Sequence, residues 1–208
     1  MIPKEKINKY YEDYIEEISS YLEKDESKSF HLGAKIKKIR EEKNLTLEDI
    51  AQKIGFDLNV LKDIEEEKIH PPLATIIKIS KALDTMVSNL ISDEADKKYS
   101  VVRAREHPAI PREASKFYKY MPLAHEVANR HMETFIVKLY PTNEKEFTVH
   151  DGEEFIYVLD GEVKITIENE DIILNIGDTI YYHSTVPHFI TTNSDKPALI
   201  LAVIYNGN

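Results

Sequence analysis

The chain contains no cysteine. That excludes disulfide bridges and thiolate metal sites, and it suits a reducing compartment. A long apolar run is also missing: no stretch reaches the roughly 18 residues of a transmembrane helix. The opening Met1-Ile2-Pro3-Lys4-Glu5-Lys6 lacks the apolar core of a secretion signal. A cytoplasmic protein is therefore expected. There is no basic surplus either, because the formal net charge is −10. Its distribution says more than its total. Basic and acidic residues balance over 31–92 and over 93–115, whereas 116–208 holds 7 basic against 14 acidic. No part carries the basic footprint of a strong nucleic-acid binder. The 208 residues leave room for one large or two small domains.

What is present divides into unlike parts. Residues 4–24 predict one amphipathic helix within an N-terminal extension, 1–30. Ile7, Tyr10, Tyr11, Tyr14, Ile15, Ile18, Tyr21 and Leu22 recur at spacings of three and four and line one stripe. Lysines come first and glutamates later, opposite to what the helix dipole favours, so packing must hold this helix. So aromatic a stripe either forms a dimer seam or covers the next domain of the same chain. Asp25-Glu26-Ser27-Lys28-Ser29 is a polar break.

Helix punctuation runs through 31–92. Ile36 and Ile39 mark one helix, and Asn44 follows its end. Thr46 is an N-cap candidate with Asp49 three residues on, and the helix it starts runs to Gly55. Asp57 caps a third helix with Leu61 and Ile64, Pro71-Pro72 precedes a fourth over 73–83, and a short fifth carries Leu90 and Ile91. Ala51 lets two helices approach, Gly55 makes the turn, and Leu61 locks the second helix onto the first. This spacing resembles the five-helix DNA-binding domain of phage-repressor and Xre-type regulators. Register then gives Asp57, Leu58, Asn59, Lys62 and Asp63 to the DNA-facing turn: Asn59 for adenine, Lys62 for guanine or phosphate, Leu58 for a thymine methyl. Leu47 stands where that family often has a phosphate-binding glutamine, and Glu67 where a glycine is usual. The same bundle without DNA would be a dimerisation or docking module.

Residues 93–115 read as a charged linker holding Pro108, Pro111, Arg103, Arg105 and Arg112. From 116 onward, seven short β-branched or aromatic runs alternate with Asp-Gly, Asn-Glu-Asp, Gly-Asp and Asn-Ser-Asp turns, which predicts a β-sandwich or barrel. The whole is a multi-domain α + β chain.

Within the β part, His150 and Glu154 lie four residues apart across an Asp-Gly turn and face one side of a sheet. A carboxylate facing an apolar interior needs a cation, and a shared divalent metal supplies one. His150, Glu154 and Gly161, with Gly177, Asp178, Pro187 and His188 downstream, resemble the two motifs of the cupin family over 116–208. The resemblance implies a jelly-roll barrel with His150, Glu154 and His188 as metal ligands. Thr148 replaces the histidine that the family has two residues before His150. Two imidazoles and a carboxylate suit Fe, Mn, Ni or Zn; a metal-free cupin holding an organic ligand is the alternative. His183 reads as exposed, and His31, His70, His107, His125 and His131 have no partner at ligand spacing.

The domain order resembles Xre–cupin regulators. That implies a homodimer that binds double-stranded DNA and senses a small-molecule effector or metal. It also resembles the mononuclear iron epoxidases of hydroxyalkylphosphonates. There Arg112, Tyr118 and Tyr120 fall beside the metal and, with Thr148, would line a ligand pocket. That family's substrate-binding asparagines fall on Phe147 and Ile204 in this chain. A structural or scaffolding role is the third reading.

Overall fold

The computed structural model describes residues 4–23, 31–69, 71, 73–91, 98–103, 117–123, 127, 130–145 and 147–205. Of the residues singled out above, those at 1–3 and 25–29, with His70, Pro72, Arg105, His107, Pro108, Pro111, Arg112 and His125, lie outside these.

Helix α1 (Lys4–Glu23) forms as its periodicity predicts. Its partner is the β part, not the helical domain next in sequence. Ile15, Ile18 and Leu22 are buried against Met121, Ile136 and Leu199. Lys119 Nζ donates to the Leu22 carbonyl at 3.0 Å and Lys138 Nζ to Ser19 Oγ at 2.8 Å. Tyr11 Oη donates to the Leu159 carbonyl. Three aliphatic side chains withdrawn from water stabilise this docking by about 1.5–3 kcal/mol apiece.

The helical domain contains α2 (Leu32–Glu42), α3 (Leu47–Ile54), α4 (Leu58–Glu65), α5 (Leu73–Ala82) and α6 (Val87–Ile91). Thr46 and Asp49 close a reciprocal capping box at the start of α3: Thr46 Oγ1 accepts from Asp49 N at 3.0 Å, and Asp49 Oδ2 accepts from Thr46 N at 2.7 Å. Gly55, at φ 71°, takes the left-handed turn that brings α4 across α3. Ile36, Ile50, Leu61, Ile64, Ile76 and Leu83 fill the core. Glu67 also has a positive φ, 59°, which is the physical reason a glycine suits that position.

Beneath this core Arg40 and Glu65, 8% and 7% exposed, pair bidentately: Nε to Oε1 at 2.7 Å and Nη2 to Oε2 at 2.9 Å. Arg40 Nη1 also donates to the Leu45 carbonyl at 2.9 Å. The pair ties α2 to α4. Close by, Gly33 presses its bare Cα onto α4. A Cβ there would meet the Ile64 carbonyl oxygen at 2.3 Å and that of Glu65 at 2.7 Å. Gly33→Ala is therefore expected to destabilise the helical domain by about 1–3 kcal/mol through overpacking, despite alanine's better helix propensity. A denaturant melt followed by circular dichroism checks this.

The β part holds β1 (Tyr118–Pro122), β2 (Met132–Leu139), β3 (Glu153–Asp160), β4 (Val163–Ile167), β5 (Glu170–Leu174), β6 (Thr179–His183), β7 (His188–Thr192) and β8 (Ala198–Tyr205). All pairs are antiparallel, in a five-stranded sheet ordered β1-β2-β8-β3-β6 and a three-stranded sheet ordered β5-β4-β7. This is the two-sheet form of a jelly roll. The apolar run Ala198-Leu-Ile-Leu-Ala-Val-Ile-Tyr205 follows from burial on both faces. Ile200, Ala202 and Ile204 look into the space between the sheets, while Leu199 and Leu201 lie under α1.

Candidate metal centre and ligand cavity

Three buried side chains meet inside the jelly roll: His150 and Glu154, each 6% exposed, and His188, 3% exposed. Glu154 points inward from β3. His188 opens β7, and its backbone pairs with Thr148 in an isolated bridge, which draws the segment carrying His150 alongside. His150 Nε2 lies 2.8 Å from Glu154 Oε1, and His188 Nε2 lies 3.3 Å from the same oxygen.

The outer ring nitrogens fix what the inner ones offer. His150 Nδ1 lies 3.0 Å from the Asp151 carbonyl oxygen and His188 Nδ1 lies 2.9 Å from that of Val186. A carbonyl only accepts, so both Nδ1 atoms carry hydrogen, and each ring turns its Nε2 toward Glu154, a proton donor when the ring is charged and a lone pair for a metal when it is neutral. Tyr182 Oη donates to Glu154 Oε2 at 2.8 Å, and Ser184 Oγ donates to Oε1 at 3.1 Å. Ligands held by carbonyls and hydroxyls in this way are what a metal site requires of its surroundings. Two lone pairs converging on an anionic oxygen repel unless a proton or a cation sits among them.

Electrostatics agree. Burial alone would push the Glu154 carboxyl up, but hydrogen bonds and charge from His150 and His188 outweigh it and hold the group below the usual carboxylate range. Burial lowers His188, while the Glu154 hydrogen bond and charge raise it, with a net rise. Burial, then the charge of Glu154, pushes Tyr182 up. The phenol stays a donor. Thr148, in place of the family's further histidine, sets its hydroxyl 2.9 Å from His188 Nε2. The donor set thus suits a divalent ion, with sides left open for a ligand.

The cluster lines a cavity of about 110 Å³ whose other described walls are apolar apart from the Thr148 and Tyr118 hydroxyls. Phe117, Tyr118, Val137, Leu139, Ile200 and Ile204 contribute from the sheets. Ala74 and Ile77 of α5 contribute from the helical domain, which sequence reasoning did not find. Tyr118 and Thr148 line the cavity. Tyr120 is fully buried edge-on against Phe135. Ile204 lines the wall and Phe147 is exposed, so where the epoxidase pattern has asparagines the cavity receives no side-chain amide. On the far side of His150 a second cleft, about 620 Å³, lies between Lys53, Lys78 and Lys81 and the loops of Asp151 and Thr185. Lys81 Nζ meets Asp151 Oδ2 there at 3.0 Å. His183 is exposed beside Glu153, His31 pairs with Glu67, and His131 is exposed.

At the other end of the molecule, α4 presents Leu58, Asn59, Val60 and Lys62 to solvent. Val60 adds an exposed apolar group that motif reasoning passed over. Asp57 Oδ1 is committed to capping α4, accepting from Asn59 N at 2.8 Å. Asp63 pairs with Lys68 at 3.2 Å, which mutes its repulsion of a polyanion. Lys62 lies 3.9 Å from Glu66. Arg103 is exposed.

Comparison with known proteins finds two families along the chain. Residues 36–86 match the helix-turn-helix family and 135–204 match the cupin domain family. The chain is 25% identical over 164 residues to the HTH-type transcriptional regulator PuuR of Escherichia coli (strain K12), covering 78% of this chain and 88% of that protein. It is 22% identical over 176 residues to the HTH-type transcriptional regulator SutR of the same organism, covering 84% and 94%. Among solved structures, an HTH_3 family transcriptional regulator from Vibrio cholerae shares the fold, with a TM-score of 0.66 at 20% identity over 86% of this chain and 97% of that one. No helix among the described residues is long and apolar enough to cross a membrane.

Proposed function

We propose that this chain, a helix-turn-helix domain of the Xre type joined to a C-terminal cupin domain, is a DNA-binding transcriptional regulator whose cupin responds to a divalent metal, a small-molecule effector, or both. The observation that carries this is the match to PuuR. It spans both domains and 88% of a protein that is itself named a transcriptional regulator. Asn59, Lys62 and Leu58 are the base-facing residues of this reading, with Asp57 and Asp63 flanking them. The protein acts as a homodimer, because two copies of α4 must reach half-sites about 34 Å apart.

His150, Glu154 and His188 would hold the ion, which would supply a positive centre beside the apolar cavity. The residues around it do the rest: two backbone carbonyls fix the rings, Tyr182 and Ser184 aim the carboxylate, and the aliphatic walls exclude water. Effector binding shifts the balance between DNA-competent and incompetent arrangements by no more than its differential affinity for the two.

A duplex taken from the protein's own promoter region is expected to bind with an affinity that falls about a thousandfold or more between 50 and 200 mM salt. Asn59→Ala is expected to cost about 1–3 kcal/mol on that duplex and little on a scrambled one. Equal affinity for both duplexes at low salt would defeat the operator-reading proposal.

A further inference from the structure

Among the described residues the cavity has one cluster of charged groups. Its polar groups are His150, Glu154, His188 and the Thr148 and Tyr118 hydroxyls, and the rest of the described lining is aliphatic or aromatic. At about 110 Å³ it is a little smaller than a cavity of ~150 Å³ that accepts benzene. Its occupant therefore has an apolar body of at most about six heavy atoms. A second charged pole would lie among Val137, Ile200 and Ile204, with no charged partner among the described lining residues.

One wall of this space belongs to the other domain. Ala74 and Ile77, one turn apart on α5, face into it, and Ile77 is fully buried there. Helix α5 packs in turn on α3, which sets the position of α4. No relay of side chains is needed between cavity and reading helix, since one helix touches both the cavity and the helix-turn-helix core.

We infer that the cavity takes a small molecule with a compact apolar body and a single carboxylate head, and that α5 is the wall this body presses on. Binding and the placement of the helical domain are then one equilibrium. The inference rests on the reading of His150, Glu154 and His188 as a metal centre. One carboxylate ligand leaves a divalent ion with a net positive charge, and an anionic head completes it.

Full-length protein loaded with Co(II) tests this, because visible absorption reports the cobalt environment directly. Benzoate and hexanoate should perturb the cobalt bands saturably, while succinate and hexylamine should do so at least tenfold more weakly. Ala74→Leu adds three carbons to the α5 wall without harming helix propensity. It should leave the cobalt spectrum intact and weaken benzoate at least tenfold. Ile77→Ala enlarges the same wall and should shift preference toward octanoate over benzoate at least fivefold.

Several results would overturn the inference. If Ala74→Leu and Ile77→Ala both bind carboxylates like the parent, α5 is not part of the site. Succinate equal to hexanoate would refute the apolar body, and hexylamine binding better than hexanoate would refute the anionic head. A cobalt spectrum untouched by every carboxylate defeats this inference alone. Absence of any cobalt spectrum defeats the metal centre and the inference with it.

Discussion

Glu154→Gln is expected to lower affinity for Zn(II) or Co(II) by at least about a hundredfold. Removing a partner outside the ligand shell typically costs 10–100-fold, and this change removes a ligand charge directly. The protein should still fold. The amide has the volume of the carboxylate and keeps an oxygen for the Tyr182 hydroxyl, which now donates to Oε2 at 2.8 Å. Its NH₂ falls near Oε1, 2.8 Å from His150 Nε2 in the parent, where it can donate to that nitrogen when the ring is neutral. Metal-free Glu154→Gln should be somewhat less stable than the metal-free parent near neutral pH, because it loses the favourable interaction with His150 and His188 that holds the carboxyl below the usual range, while metal should stabilise the parent and not the variant. Calorimetric titration together with thermal melts, with and without Zn(II), measures both. Unchanged metal affinity would place any ion elsewhere.

The second large effect lies in the helical domain, at residues that do not line the cavity. Arg40→Met should destabilise the helical domain by about 3–5 kcal/mol, because it leaves Glu65 charged, buried and without its bidentate partner. The Leu45 carbonyl loses a donor as well. For a small domain with about 5–15 kcal/mol in hand, such a loss approaches the threshold of folding. Arg40→Met combined with Glu65→Leu should regain most of it, since a buried ion pair replaced by apolar groups of similar volume is often neutral. A denaturant series on parent, single and double variants separates these outcomes. A single variant within 1 kcal/mol of the parent would show that Glu65 finds water or another partner.

Both effects depend on contacts only partly visible in the chain. The helices of the N-terminal domain were legible because caps and turns are local: Thr46 with Asp49, Gly55 and Asp57 each act within a few residues. The meeting of His150, Glu154 and His188 was legible for a related reason. Two members share one strand approach, and the third closes a motif that ends in Pro-His. The Arg40–Glu65 pair was not, because 25 residues separate its members and neither sits in a recognisable pattern. The Tyr182 hydroxyl was within reach of reasoning: β6 sets Tyr182 directly opposite Glu154, and register alone would have found it. The α5 wall was not, for Ala74 and Ile77 look like any two core positions of an amphipathic helix.

The stripe of α1 shows where periodicity stops. It announced a buried face, but a seam between copies and a cover within one chain present the same spacing. In this structure Ile15, Ile18 and Leu22 lie against β1, β2 and β8, contacts about a hundred residues or more apart in sequence, and no local signal specifies them.

That docking has a topological result. The polypeptide first lays a helix on the vessel, then builds the helical domain, then weaves the vessel itself. The vessel is thus touched twice by what precedes it in the chain, by α1 on one sheet and by Ala74 and Ile77 of α5 at the cavity.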